Sequence, residues 1–224
     1  MESECRAPLD AALLTASSPW GVAVRVLGET ASSNDAVLRL GEEGAPEGTL
    51  LFAEHQTAGR GRLGRLWDSA PGLGLWFSLL LRVPVSDATI PSLSSFAAVA
   101  LVRTLREIGT RGASIKEPND VLLGGKKVAG ILIETRTGAS SFAVAGIGLN
   151  VNHREEDFPP ELRSRATSLA LASGRELDRN RVASVLLREL ATARRLVAED
   201  PAALREAWNG MLLPASATGY ASPS

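Results

Sequence analysis

Residues 113–152 read ASIKEPNDVLLGGKKVAGILIETRTGASSFAVAGIGLNVN, and this stretch decides the fold class. Four apolar segments, 114–116, 120–123, 127–135 and 142–151, are separated by short turns rich in glycine. Connections this short leave no room for a helical crossover, so the spacing predicts consecutive antiparallel pairing. Just upstream, residues 91–108 (PSLSSFAAVALVRTLREI) set polar residues at helical spacing in a run of Ala, Leu, Val and Phe. That pattern predicts one core helix packed across the sheet. A helix followed by a run of paired strands argues an α+β domain.

Working outward, residues 75–81 are apolar throughout and fit a strand buried on both faces. Strand signals also fall at 22–27 and 49–53, with a helix-like stretch at 34–40 and a short helix at 8–17. Towards the C-terminus, Val182, Val185, Leu186, Leu190 and Leu196 give residues 178–198 an amphipathic helical pattern with Asp178 as N-cap, and 201–208 add a last short helix. The expected organisation is an N-terminal extension (1–20), one catalytic-size domain (21–210) and a small polar tail (211–224). There is no internal repeat.

Composition removes several classes of function. With 24 basic and 25 acidic residues the chain has no global field to draw nucleic acid or an anionic membrane, so an anion site must be local. The single cysteine, Cys5, excludes an intramolecular disulfide and a Cys-cluster zinc site and suits a reducing, cytoplasmic compartment. Two histidines, His55 and His153, are too few for a histidine-based metal site or triad. No segment approaches the ~20 uncharged apolar residues of a membrane span. The acidic N-terminus does not read as a signal peptide.

Chemistry concentrates in a few stretches. In residues 54–67 (EHQTAGRGRLGRLW), Gly59, Gly61 and Gly64 allow tight turns, and Arg60, Arg62 and Arg65 offer forked cationic donors. Such a stretch is an anion-binding loop, a basic surface loop with no ligand, or an Arg/Gly segment that binds nucleic acid; near-zero net charge weighs against the last. Lys116-Glu117-Pro118-Asn119-Asp120 is a turn, or an Asn-Asp pair able to hold a metal or a ribose. Lys126 and Lys127 open an apolar strand in which Gly130 lets another group approach the backbone. Gly146 and Gly148 do the same before Asn150, and Ser32-Ser33-Asn34 reads as a helix N-cap unless a pocket adjoins it. A Gly-x-x-x-x-Gly-Lys-[Ser/Thr] phosphate loop is absent, as is a Gly-x-Gly-x-x-Gly turn opening a βαβ unit.

Taken in order, residues 29–34, 54–67, 116–120, 127–134 and 146–150 resemble the motif series of biotin protein ligases. The resemblance implies a mixed, largely antiparallel sheet with helices packed on one side, as in the catalytic domains of class II aminoacyl-tRNA synthetases and biotin–lipoate ligases. It implies an ATP-dependent ligase that forms biotinyl-5′-AMP and passes biotin to a lysine of a biotin carboxyl carrier domain. Carried over, Ser32, Ser33, Gln56, Gly59, Arg60, Trp67, Lys127 and Gly130 would bind biotin. Arg62, Arg65, Asn119, Asp120 and Asn150 would bind ATP, with Mg2+ near Asp120, and Lys127, Arg62 and Asp120 would be catalytic.

Two departures stand out. Glu117 occupies the place of the family's usual Trp, so it must turn outward, pair with a neighbour such as Lys116, or weaken biotin binding. Many relatives also carry a small β-rich C-terminal domain, for which the tail is too short. Rival expectations are a lipoate or octanoate ligase or transferase and an inactive biotin-binding relative. A DNA-binding regulator is disfavoured, because the stretch before residue 22 is too short for a three-helix reader, and no nucleic-acid or membrane partner is expected. Monomer and homodimer both remain open.

Overall fold

The computed structural model describes residues 7–86, 89–138 and 140–214; Cys5 and the tail beyond residue 214 lie outside them. The apolar octapeptide forms strand β3 (Gly74–Leu81), buried at every position. It pairs antiparallel with β2 (Leu50–Gln56) on one side and β7 (Phe142–Asn150) on the other. Beyond β7 come β6 (Lys126–Arg136), β5 (Asp120–Leu123) and β4 (Ala113–Lys116), each antiparallel to its neighbour as the turns require. On the other flank β1 (Arg25–Thr30) joins β2 in parallel, completing a seven-stranded mixed sheet of order β1-β2-β3-β7-β6-β5-β4. Helix α2 (Ser33–Glu42) supplies the crossover that a parallel pair needs.

Alternation along the strands assigns the two faces. Phe52, Phe77, Leu79, Ala145 and Ile147 face one side and join the core beneath α3 (Thr89–Glu107), α5 (Arg179–Glu199) and α6 (Pro201–Asn209). Phe52 and Phe77 stack there with centroids 4.5 Å apart. This is the expected helical layer. Leu51, Leu80, Phe142 and Val144 face the other way and take Val37 and Leu38 of α2, so one short helix also packs on the second face. Gly41 makes that contact close: a Cβ there would stand 2.4 Å from the Phe142 ring. The rest of the second face, along β6 and β7, carries glycines and is where the candidate site lies.

Element limits shift where a side chain claims a backbone group. The first strand begins at Arg25, three residues after the expected start, because the Val24 N–H donates to Thr15 Oγ1 of α1 (Ala11–Ser17) at 2.9 Å and not to β2. It continues through polar Glu29 and Thr30, which pair with His55 and Gln56. A short helix absent from the expectations, α4 (Leu169–Ser173), is capped by Ser168 and closed by Gly174 at φ 70°. Residues 211–213 pair with the edge strand β4 through hydrogen bonds of 2.7 and 2.8 Å to Ile115, covering its free N–H and C=O groups.

The N-terminal segment is stapled into the domain by a buried ion pair. Arg179, 1% exposed at the start of α5, bonds Glu54 of β2 at 2.6 and 3.2 Å, the Gly74 carbonyl at 3.2 Å and the Ala7 carbonyl at 2.8 Å. Glu54 in turn accepts the Leu9 N–H at 2.6 Å.

His153, just past β7, is 3% exposed, stacked on Phe158 at 4.9 Å and set edge-on to Trp76. Burial pushes its pKa down to about 4, against a smaller opposing pull from Asp157. Its folded pKa lies below its unfolded value of 6.5, so the unfolded chain binds the extra proton first. The neutral ring's contribution is present above pH 6.5 and is lost as the pH falls towards 4, on the order of 3 kcal/mol. Urea unfolding of the His153→Phe variant should show a shallower fall in stability across that window than the parent chain. Equal slopes would remove His153 as the cause.

Candidate functional site

The N-terminus of α2 begins the site. Ser32 caps the helix, its side chain accepting the Asp35 N–H, and the Ser33 N–H donates to Gln56 Oε1 at 2.8 Å, so one end of the cleft is rich in uncharged polar groups. Both serines are buried.

Residues 57–69 form the loop beside them. Trp67 N–H to the Gly59 carbonyl at 2.9 Å, Gly61 N–H to the Arg65 carbonyl at 2.7 Å and an Arg60–Leu66 bridge fold it into a narrow hairpin with a turn at Arg62–Gly64. A Cβ on Gly59 would stand 2.6 Å from the Trp67 carbonyl, which is why this position has no side chain. At the tip Leu63 adopts φ 58°, and Leu63 and Leu66 are 87% and 86% exposed. Arg60 grips Asp35 with two bonds of 2.7 and 2.6 Å, tying the hairpin to α2. That hydrogen-bonded guanidinium holds the Asp35 carboxyl below its usual range, and the Asp35 carboxylate in turn moves the Arg60 pKa upward.

The floor is the glycine strip of β6 and β7, where Gly130 stands opposite Gly148 and Leu132 opposite Gly146. The Trp67 indole rests on it: a Cβ at Gly148 would lie 2.4 Å from that ring and one at Gly130 2.7 Å. Asn34 lies over Gly146, 2.2 Å from the position of a Cβ. Beyond the indole, Lys127 Nζ sits 2.6 Å from Asp120 Oδ1 and 5.2 Å from the Trp67 ring centre. Arg62 reaches Asn119 at 3.4 Å, and Asn119 is anchored by donating to the Ile131 carbonyl at 2.7 Å. The cleft therefore runs from the hydrogen-bonding groups above Gly146, beside which Arg60 is neutralised by Asp35, to the cationic Lys127 and Arg62 beyond Gly130.

Of the residues expected at the site, Ser32, Ser33, Gln56, Arg60, Arg62, Trp67, Asn119, Lys127 and Gly130 line this one cleft. Gly59 stands behind Trp67, and Asp120 meets the cleft through Lys127. Arg65 is exposed on the hairpin, outside the lining. Asn150 is buried with its amide nitrogen donating to the Thr167 carbonyl at 2.9 Å. Glu117 is exposed, the first of the outcomes expected for it, and stands outside the lining. Ser78 was not recognised, and Asn34 and Glu134, inside the expected motif stretches, were assigned no role; the three are joined by hydrogen bonds beneath Ser33. A lone hydroxyl in the apolar octapeptide 74–81 was the available signal for Ser78.

No group of three or more ligating side chains gathers among the described residues, and Asp120 is already engaged by Lys127. The site does not fit a resident metal cage.

A family model described as the biotin/lipoate A/B protein ligase family matches residues 27–152, more than half of the chain and every element of this cleft. The chain belongs to that family. Among individual proteins, this ligase-family chain is 41% identical over 169 residues to the bifunctional ligase/repressor BirA of Bacillus spizizenii, covering 71% of the chain and 52% of that relative. It is 41% identical over 183 residues to the biotin–[acetyl-CoA-carboxylase] ligase of Mycobacterium tuberculosis, covering 80% of the chain and 66% of the relative. The biotin protein ligase of Aquifex aeolicus, solved in complex with biotin and ATP, superposes with a TM-score of 0.73 at 33% identity, over 85% of this chain and 78% of that one. The chain spans about half the length of the first of these relatives. The fold class implied by the resemblance, a mixed and mostly antiparallel sheet with helices, is that of the ligase family.

Proposed function

We propose that the chain carries the catalytic domain of an ATP-dependent biotin protein ligase. The observation that carries this reading is the polarity of the cleft. Uncharged donors and acceptors of Ser32, Ser33 and Gln56 stand at one end of a glycine floor, and Lys127 and Arg62 stand at the other. Biotin is polarised the same way, with a neutral ureido ring at one end and a carboxylate at the other. A lipoyl or octanoyl chain has no hydrogen-bonding ring to match the polar Ser32–Gln56 end. The relatives named above as biotin ligases support the same choice.

In the reaction so assigned, the biotin carboxylate attacks the α-phosphorus of ATP and pyrophosphate leaves. A lysine amine of the carrier domain then attacks the mixed anhydride and AMP leaves. Mg2+ enters as part of the nucleotide substrate. The chain's own contribution is placement and charge: Lys127 and Arg62 set positive charge where the phosphate gains negative charge, and Asn119 orients Arg62. Arg65 and Asn150, expected at the nucleotide, have no part in the lining and are assigned no step here. The acceptor is a biotin carboxyl carrier domain, and the lack of strong net charge supports a protein partner over nucleic acid. The reducing composition supports a cytoplasmic setting.

The deciding experiment is exchange of labelled pyrophosphate into ATP with biotin or lipoate as the acid. Exchange with biotin alone is the expected result; exchange with lipoate alone would transfer the assignment to the other branch, and silence with both would sink adenylation.

The glycine floor makes a second prediction. In the Gly148→Ala variant the new methyl group meets the Trp67 indole at 2.4 Å and raises the surface on which a ligand ring would lie. Thermal unfolding should show a loss of ~1–3 kcal/mol as overpacking pushes the indole off the floor, and calorimetric titration a changed biotin affinity. Unchanged affinity would place the ligand elsewhere.

A further inference from the structure

The hydroxyl of Ser33 is the last member of a hydrogen-bonded line that begins at a carboxylate. Glu134 Oε2 accepts from Asn34 Nδ2 at 2.6 Å, while Arg60 stands 3.4 Å from both oxygens of the same carboxylate. A carboxylate only accepts, so it turns the Asn34 nitrogen towards itself and the carbonyl oxygen away. That oxygen, Oδ1, lies 2.5 Å from Ser78 Oγ, on a side chain with no solvent exposure. Oδ1 carries no proton, so Ser78 must donate its only one there. Ser78 is also 2.8 Å from Ser33 Oγ, and with its proton committed that contact closes only if Ser33 donates. The Ser33 hydroxyl is thereby left facing the cleft with lone pairs alone.

We infer that Glu134, acting through Asn34 and Ser78, fixes Ser33 as an obligate hydrogen-bond acceptor and so makes the site select a ligand ring presenting an N–H at that point. This rests on the biotin reading and deepens it. Ser33 reads a ureido N–H, leaving the ureido carbonyl to other groups. Glu134, Asn34 and Ser78 are positioning residues: they act on the ligand only through the direction of one proton. A ring with oxygen in place of that N–H would set lone pair against lone pair in a buried site, where the mismatch cannot be relieved by water. In Glu134→Gln the amide partner can accept or donate, so only the long 3.5 Å bond to the Leu132 carbonyl still holds the Asn34 nitrogen in place, and Asn34 can turn over. Its nitrogen would then donate to Ser78, Ser78 to Ser33, and the Ser33 proton would point into the cleft.

The test is calorimetric binding to the full chain of biotin and of its two cyclic carbamate analogues, in which one or the other ureido N–H is replaced by oxygen. For the parent chain, one carbamate should bind on the order of 100-fold more weakly than biotin, the scale set by an unpaired buried acceptor. In Glu134→Gln and in Ser78→Ala that ratio should fall below about tenfold, because Ser33 regains a proton to offer. A role limited to holding the fold would weaken all three ligands together and leave the ratio intact, which would overturn the proposal. So would a parent chain that binds biotin and both carbamates alike, although the biotin reading would then stand. A parent chain that fails to bind biotin at all would overturn that reading and the proposal with it.

Discussion

Lys127→Ala should lower biotin-dependent pyrophosphate exchange by about 10²-fold or more while biotin affinity changes by less than about tenfold. The split follows from where the ammonium group lies. Nζ sits at the cationic end of the cleft, 2.6 Å from Asp120 and over the Trp67 ring, away from the Ser33–Gln56 end that would hold a neutral ring. Ground-state affinity therefore comes mostly from groups this substitution leaves alone. On the proposed reading Lys127 is the better fixed of the two cations at that end of the cleft, since Arg62 is exposed and its bond to Asn119 is long, at 3.4 Å. Removing one preorganised donor of this kind typically costs 10²- to 10³-fold in rate, roughly 2.7–4 kcal/mol. Exchange assays beside calorimetric titration give both numbers; undiminished exchange would show that the charged end of the cleft is not where adenylation occurs.

The largest loss of stability is expected from Arg179→Met. Methionine fills comparable space, so the effect isolates the guanidinium. Without it, Glu54 keeps a carboxylate beneath the N-terminal segment with only the Leu9 N–H for company, and the carbonyls of Ala7 and Gly74 lose their donor. Breaking a buried pair from one side costs about 3–5 kcal/mol, which for a chain of this size lowers the thermal midpoint by roughly 10 °C. Adding Glu54→Leu should recover part of that loss, because the stranded charge is gone, but not all, because the Leu9 N–H remains buried. Thermal unfolding of the single and double variants measures both. A single variant within 1 °C of the parent would mean that the pair contributes little beyond its apolar stem.

How far the molecule was legible in advance depended on whether the controlling contact was local. The antiparallel run from β4 to β7 followed from turn length alone, and β3 from the run 75–81, apolar but for Ser78. The start of β1 did not, because Val24 is claimed by a threonine nine residues earlier, a bond that periodicity does not express. At the site, motif order brought out the residues whose side chains line the cleft. Position in a motif said nothing about direction: Arg65 shares its stretch with Arg62 yet projects from the hairpin, and Glu117 turns outward from the turn that holds Asn119. The line from Glu134 to Ser33 was the least legible. It joins positions 100 and 44 residues apart, and each of its members reads singly as an ordinary helix, strand or strand-end residue.

On the proposed reading, the indole lying on Gly148 and Gly130 competes with the ligand for the same floor. If a ligand ring takes that floor, Trp67 must lift from it first, and the measured affinity is then reduced by the fraction of molecules in which the indole is still down. Association should then saturate: as ligand concentration rises, the observed rate levels off at the frequency with which the indole lifts. Because that event moves a tryptophan away from a lysine ammonium and from Trp76, 6.1 Å distant, its own fluorescence would time the opening.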